Sequence, residues 1–416
     1  MHNKSLPVLF FAVFLSVITL AQTPEWIVYG AVPINATRSS IMDDSMNVWI
    51  ATFGGGLSKM TDGSYITYST SNSGIPENNT TCVSIDTAGN KWTGTYSSGA
   101  VMFDGTNWIV YNTGNGLPGL RINCITVDDN NTKWFGINYN GVTKYDGTTF
   151  TTWKTTNSLL PNNNVNCITI DASGNKWIGT YGGLAKFDGT NWTVYTTANS
   201  SIPHDQVYSI VFEDATNMWI GTGGGLSKFD GNSTWVTYST ANSQLPYDYV
   251  NSVALDSAGN IWAGTTQGGL AMFDGFSSWT VFNTTNSLIP GMDIRNVMID
   301  NYDNKWICTN DGGFAFYGVQ VVVGNNNFTE NNNAMIYPNP FNSSAIIDIT
   351  GEATTSSLTL TLYNILGTVV MTSVLSAPYN GQSKTVIVKG DLSEGLYFYE
   401  IKSEEQTIKS GKIVIE

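Results

Sequence analysis

Histidine and arginine are almost missing from this chain: its 416 residues include two histidines, His2 and His204, and three arginines, Arg38, Arg121 and Arg295. The scarcity of histidine removes most general acid–base and metal schemes, in which imidazole is the commonest participant. Charge is also sparse, at 12% of residues, and its balance is acidic: 18 Lys and Arg stand against 32 Asp and Glu, a formal −14. That balance argues against nucleic acid or an anionic membrane as partner, because both call for a broad basic surface. The four cysteines form no Cys-x-x-Cys pair, so neither a disulfide framework nor a cysteine metal site is expected. No Asp-x-Asp-x-Asp-Gly run, Gly-x-Ser-x-Gly elbow, His-Glu-x-x-His pair or Walker-type loop occurs, and with them go calcium-loop, hydrolase, zinc-protease and nucleotide readings. No metal, no other cofactor and no catalytic residue is therefore assigned.

What is present begins with a leader. Met1, His2, Asn3, Lys4 and Ser5 precede a mostly apolar run from Leu6 to Leu20, and Ala21 follows with Thr19 two positions before it. A Lys-bearing start, a short apolar core and small residues at its end predict a signal peptide over residues 1–21, cleaved near Ala21. Export into the periplasm and a mature chain from Gln22 follow. No later segment approaches the roughly 20 apolar residues of a spanning helix, so no transmembrane segment is expected in the mature chain.

The dominant feature is a repeat. NVWIAT, NKWTGT, TKWFGI, NKWIGT, NMWIGT, NIWAGT and NKWICT place Trp49, Trp92, Trp134, Trp177, Trp219, Trp262 and Trp306 at spacings of 43, 42, 43, 42, 43 and 44 residues. Within each unit four strand-like runs alternate with Asp, Asn and Gly turns, as in VNSVALD, IWAGT, LAMFD and WTVFN between Val250 and Asn283. Four short strands per period of 40 to 45 residues make the blade of a β-propeller. The seventh unit lacks its fourth run, and Glu25-Trp26-Ile27-Val28-Tyr29 near the N-terminus supplies a match to NWTVY at Asn191–Tyr195. The expected fold is all-β: a seven-bladed β-propeller over residues 22–323, closed by the N-terminal strand. The D-x-x-G-N-x-W-I-G-T, G-G-L and F-D-G segments resemble the two-component-regulator propeller repeats. In that family such propellers often form the periplasmic sensor of hybrid histidine kinases, but this chain has neither a membrane span nor kinase motifs.

Residues 324–333, GNNNFTENNN, are too polar to build a core and read as a linker. Beyond them YPNPFNSSAIIDI from Tyr337, LTLYNILGTVV from Leu360, DLSEGLYFYEI from Asp391 and GKIVI from Gly411 form β-rich runs broken by turns, which predicts a small β-sandwich of about seven strands over residues 334–416. The four segments resemble the type IX secretion C-terminal sorting domain, type A, of Bacteroidetes. The resemblance implies an address read by the type IX secretion machinery and its sortase, and a product that is secreted or held on the outer-membrane surface.

Positions alike in every unit hold the scaffold, so function is sought where units differ. Such positions gather at the loops entering the first strand of each unit and at the hairpin after the second strand, which in a propeller surround the mouth of the central channel. They offer Tyr96, Tyr139, Tyr181, Tyr249, Gln267, His204, Asp205, Asp293 and Asp311, joined by the three arginines Arg38, Arg121 and Arg295. Tyrosines beside amides and carboxylates suit sugars, whose apolar faces stack while hydroxyls take polar partners. The arginines suit a carboxylate or phosphate. The expected function is binding, with glycan as the possible ligand. A glycosidase or polysaccharide lyase using two of Glu77, Asp205, Asp248, Asp293 and Asp311 is the alternative, and a structural surface component a third reading. Cys82, Cys124 and Cys167 recur at one place in three successive units and read as small residues in a crowded strand.

Overall fold

A computed structural model describes residues 24–29, 36–61, 64–318, 333–337, 339–350, 358–364, 367–375, 382–390, 392–403 and 406–416. The expected signal peptide and nearly all of the expected linker lie outside the described residues. The chain divides into two compact units, Met1–Val319 and Gln320–Glu416.

The first unit holds seven four-stranded antiparallel sheets. Each is a meander, as in Val250–Leu255, Ile261–Thr265, Leu270–Phe273 and Trp279–Phe282. Six sheets consist of strands consecutive in sequence. In the seventh, Ile294–Ile299, Lys305–Thr309 and Phe314–Gly318 are joined by Glu25–Tyr29, with Trp26 opposite Tyr317. First strands of successive sheets touch one another, and the first of all, Thr37–Met42, also touches the last, Ile294–Ile299. We call these the inner strands and number the blades one to seven from Thr37.

Second strands such as Val48–Thr52 and Met218–Thr222 are buried at every residue, because a blade there is covered on both faces. Their sequences accordingly run apolar instead of alternating. The core is a series of layers between neighbouring blades: Trp219 and Leu226 of blade five pack with Val250, Val253, Ile261 and Phe273 of blade six. Neighbouring blades press close at the Gly of W-I-G-T. A Cβ on Gly136 would stand 2.7 Å from Val165 Cγ1 of the next blade. Where that Gly is replaced, by Ala51 and Cys308, the facing residue of the next blade is no longer Val or Ile but Thr80 and Thr37. Both hydroxyls bond back across the gap: Thr80 Oγ1 to Thr52 O at 3.0 Å, and Thr37 Oγ1 to Thr309 O at 3.1 Å. The second of these links blade seven to blade one.

At the far end of the inner strand sits the repeated Asp. In six blades its carboxylate accepts the indole N–H of the blade's own Trp, at 2.8 Å for Asp43 and Trp49 and 3.0 Å for Asp86 and Trp92. Asp86, Asp171 and Asp256 each also accept a backbone amide of their own turn. A lysine of the following blade then lies over the Trp ring: Lys91 on Trp49, Lys133 on Trp92, Lys176 on Trp134 and Lys305 on Trp262, 4.8–5.1 Å from the centroid. Three of these ammonium groups also reach the Asp, Lys133 and Asp86 being 3.1 Å apart. Blade five departs from the pattern. Glu213 takes the Asp position and pairs with Lys228 at 2.5 Å, leaving Trp219 Nε1 buried without a partner.

The second unit contains a three-stranded sheet, Asn333–Tyr337, Ser344–Thr350 and Gln382–Val388, and a four-stranded one, Val369–Leu375, Leu358–Tyr363, Gly395–Ser403 and Gln406–Ile415. Alternate residues Leu358, Leu360 and Leu362 enter a core shared with Ala345, Ile347, Ile387, Tyr399 and Ile413, as period-two burial demands. Asn339 and Phe341, from the YPNPFN segment, are tied to the last strand: Asn339 Oδ1 accepts from Val414 N at 2.8 Å, and Phe341 N donates to Val414 O at 3.0 Å. The first and last motifs of the tail thus meet in one place.

Candidate functional site

Two tiers of side chains stand at the mouth end of the inner strands. The residue before each inner strand, namely Ala36, Asn79, Arg121, Asn164, Gln206, Tyr249 and Asp293, accepts through its carbonyl the N–H of the hairpin residue Phe53, Tyr96, Asn138, Tyr181, Gly223, Thr266 or Asn310. This register corrects two expected correspondences by one residue. Asn138 and Thr266 take the places assigned to Tyr139 and Gln267. Tyr139 lies one step further, in a left-handed turn conformation and 72% exposed, and Gln267 is exposed as well.

The second tier is the second residue of each inner strand: Arg38, Thr81, Asn123, Asn166, Tyr208, Asn251 and Arg295. In four blades it bonds the next blade's first inner-strand carbonyl, Thr81 to Ile122 O, Asn123 to Val165 O at 2.8 Å, Asn166 to Val207 O at 2.9 Å and Asn251 to Ile294 O at 2.9 Å. Arg38, Tyr208 and Arg295 break that pattern, and each turns to the mouth residues instead.

Three aromatic rings form an arc over blades four to six. Tyr181 lies 6.0 Å from Tyr208, and Tyr208 lies 4.6 Å from Tyr249. The two inner hydroxyls bond each other, and that of Tyr208 also meets Gln206 Oε1 at 2.9 Å. Burial pushes the Tyr208 phenol far up, and the bond to Tyr249 adds to this, so the pair is neutral at physiological pH.

The opposite arc is cationic. Arg121 lies 4.4 Å over the Tyr96 ring, Arg38 lies 5.0 Å over Phe53, and Phe53 meets Tyr96 edge-on at 5.5 Å. Arg295 pairs with Asp293 at 2.6 Å. Burial lowers the Arg38 pKa and the charges of Arg295 and Arg121 lower it further, against an opposing pull from Asp293. Arg38 therefore feels the other two arginines, far from it in sequence.

Other expected residues have different employment. Asp205 accepts Thr197 N at 2.7 Å and Asp248 accepts Thr240 N at 2.7 Å, the loop-capping bond that Asn78 and Asn163 make in their own blades. Glu77 accepts the amide and hydroxyl of Ser97, and Asp311 accepts the amides of Met292 and Asp293. Each of these carboxylates holds a loop. His204 Nδ1 accepts Gln206 N at 3.0 Å, so the ring proton of its neutral form sits on Nε2. Among the described residues no group of three His, Cys, Asp or Glu is arranged to hold a metal. Burial pushes the thiols of Cys82, Cys167 and Cys308 up to about 12, and they stay protonated.

Tyr208 was missed as a site residue. Reading the second residue of every inner strand across the repeats, Arg, Thr, Asn, Asn, Tyr, Asn, Arg, would have found Tyr208.

Comparison with known proteins agrees with this architecture. Residues 335–416 match the family of secretion system C-terminal sorting domains, and residues 159–182 and 244–267 match the two component regulator propeller. The tail is a sorting domain that addresses the chain to type IX secretion, hence to the cell surface or beyond. Among curated proteins none matches the chain. Of solved structures, one described as the extracellular domain of a hybrid two component system from B. thetaiotaomicron aligns at TM-score 0.62 and 18% identity over 94% of this chain and 57% of that one. PorZ, a bacterial surface component of the type-IX secretion system of Porphyromonas gingivalis, aligns at 0.56 and 15% over 92% and 59%. Catalytically inactive virginiamycin B lyase from Staphylococcus aureus aligns at 0.56 and 13% over 68% and 95%. The chain thus spans under two thirds of the first two structures, and at these identities the likeness concerns fold. No helix among the described residues is long and apolar enough to cross a membrane.

Proposed function

We propose that the propeller is a ligand-recognition module, carried out of the cell by its sorting domain, whose channel mouth binds glycan without chemical turnover. In this reading residues 1–21 act as a cleaved signal peptide, and the sortase of the type IX machinery removes the tail, leaving the product anchored or released. The observation that carries the binding reading is the two-sided mouth. Three tyrosines in ring contact over blades four to six stand against a cationic arc over blades seven, one, two and three. Stacking on the first and charge-assisted bonds on the second are how a saccharide is held. Tyr139, Gln267, His204 and Asp311 are assigned to the rim of the site, outside the two arcs, and Asp205 to support of its loop.

A glycan array probed with the full chain tests the reading, with product analysis on every hit. Binding without turnover that disappears in the Tyr181→Ala, Tyr249→Ala, Arg121→Ala combination is expected. Turnover would move the protein to the carbohydrate-active enzymes, and silence across the array would favour a structural surface role. Secretion is tested by fusing residues 333–416 to a periplasmic reporter, which should then leave a type IX-competent cell.

A further inference from the structure

We infer that the ligand carries one monoanionic group, a carboxylate or a sulfate ester, and that Arg38 and Arg295 seat it, an inference that rests on the mouth being the binding site. Arg38 belongs to blade one and Arg295 to blade seven, on inner strands that touch. They occupy the same position of the repeat, the one from which Asn123, Asn166 and Asn251 bond the next blade. An amide would satisfy that bond here too. The guanidinium does not make it, so the replacement weakens a scaffold contact and places a cation at the mouth.

Of the three cations only Arg295 has a carboxylate in ion-pair reach among the described residues. Among the described residues Arg38 has no carboxylate in ion-pair reach, and its contact is the face of Phe53. Arg121 has Tyr96 in the same way. Arg295 has Asp293 on one terminal nitrogen, while its Nε is buried and has no acceptor. A buried charged donor without an acceptor is among the costlier features a fold can keep; Nε itself is closed to solvent, and an oxyanion would reach the side chain through its remainder, which leaves it 32% exposed. Among the described residues the three arginines have one carboxylate within ion-pair reach, Asp293, while Asp311, Glu77, Asp205 and Asp248 on the neighbouring loops are turned to backbone amides.

The whole chain sets the other limit. At a formal −14, a polyanion extending beyond the three arginines meets protein of its own sign, whose repulsion is felt over a screening length of about 8 Å. One charge fits where many do not. With the uncharged tyrosine arc opposite, the ligand class is an acidic sugar within an otherwise neutral glycan.

Calorimetric titration of the full chain with three probes tests this: a glucose–glucuronic acid disaccharide, its carboxyl-reduced neutral counterpart, and the 6-O-sulfated form of that counterpart. At least one charged probe should bind tenfold or more tighter than the neutral one, the better of the two naming the anion. Arg38→Gln and Arg295→Gln, each checked for an unchanged melting temperature, should weaken the charged probe tenfold or more and so remove its advantage over the neutral one; Arg38→Gln alone carries this arm if Arg295→Gln fails to fold. Equal binding of all three probes, abolished by Tyr249→Ala, overturns the anion and keeps the mouth. Charged-probe binding indifferent to Arg38→Gln, Arg121→Gln and Tyr249→Ala overturns both. No binding of either charged probe overturns the anion, and the array result then decides the mouth.

Discussion

At one end of the inner strands an aspartate holds a tryptophan in six blades out of seven, and in four a lysine from the next blade covers the ring. At the other end, two residues into the same strands, the seven blades carry arginine, threonine, asparagine and tyrosine in an irregular order. The contrast separates two duties. The Asp–Trp–Lys contact is buried and joins neighbours, so it repeats wherever two blades meet in the same way. The mouth positions are half exposed and can differ without opening a seam. The irregular end can thus vary from blade to blade while the other end keeps the blades together.

That division can be broken or sharpened in order of effect. Deleting Glu25–Tyr29 should be most severe, because it strips the outer strand from blade seven and removes Trp26 from Tyr317 and Phe282, and Tyr29 from Trp306. An exposed sheet edge also invites association. Loss of the cooperative thermal transition, or aggregation, is expected; a truncated chain melting at the parental temperature would refute closure by this strand.

Asp86→Ala comes next. It leaves Trp92 Nε1 unpaired and the Lys133 ammonium, which keeps its bond to Asn131 O, without its buried counter-charge, at a cost of about 3 kcal/mol by denaturant unfolding. The same contact gives a pH signature. Burial raises the Asp86 pKa, but bonds from Trp92, Asn90 and Lys133 outweigh it and bring the value from 3.8 to about 2. A carboxylate with a lowered folded pKa contributes stability that is complete above its unfolded value and lost as pH falls through the folded one. Acid should therefore weaken the wild type between about pH 4 and 2 more than it weakens Asp86→Ala.

A gain is expected in blade five. Glu213→Asp restores the side chain that elsewhere reaches the indole, and should satisfy Trp219 Nε1 for about 1 kcal/mol of added stability, read as a higher melting temperature. At the small end, Tyr249→Ala and Arg38→Gln should move stability by only a few tenths to about 1 kcal/mol, since neither makes the inter-blade carbonyl bond.

The scaffold was legible in the sequence because its signal is repeated. Seven tryptophans at one spacing give the blades, and the orphaned EWIVY segment gives the partner strand of FAFYG. Other features were hidden by distance. Arg38, Arg121 and Arg295 stand as far as 257 positions apart in the numbering, and only the ring brings them into one field. The carboxylates show the opposite limit: Asp205 and Asp248 looked free because their loops vary, yet a backbone amide eight positions earlier accounts for each. Tyr139 and Gln267 were placed one residue off because hairpins of unequal length cannot be registered without their hydrogen bonds. The Asp–Trp bond also escaped notice, although its constant spacing of six residues was there to read.

The central claim is that the irregular end of the strands binds and the regular end does not. Titrating one glycan hit into the wild type, Tyr249→Ala and Asp86→Ala at a temperature where all three are folded tests it most directly. The account requires Tyr249→Ala to lose binding with its melting temperature nearly intact, and Asp86→Ala to melt earlier with affinity unchanged. Loss of affinity in Asp86→Ala alone, with Tyr249→Ala binding as the wild type does, would contradict it.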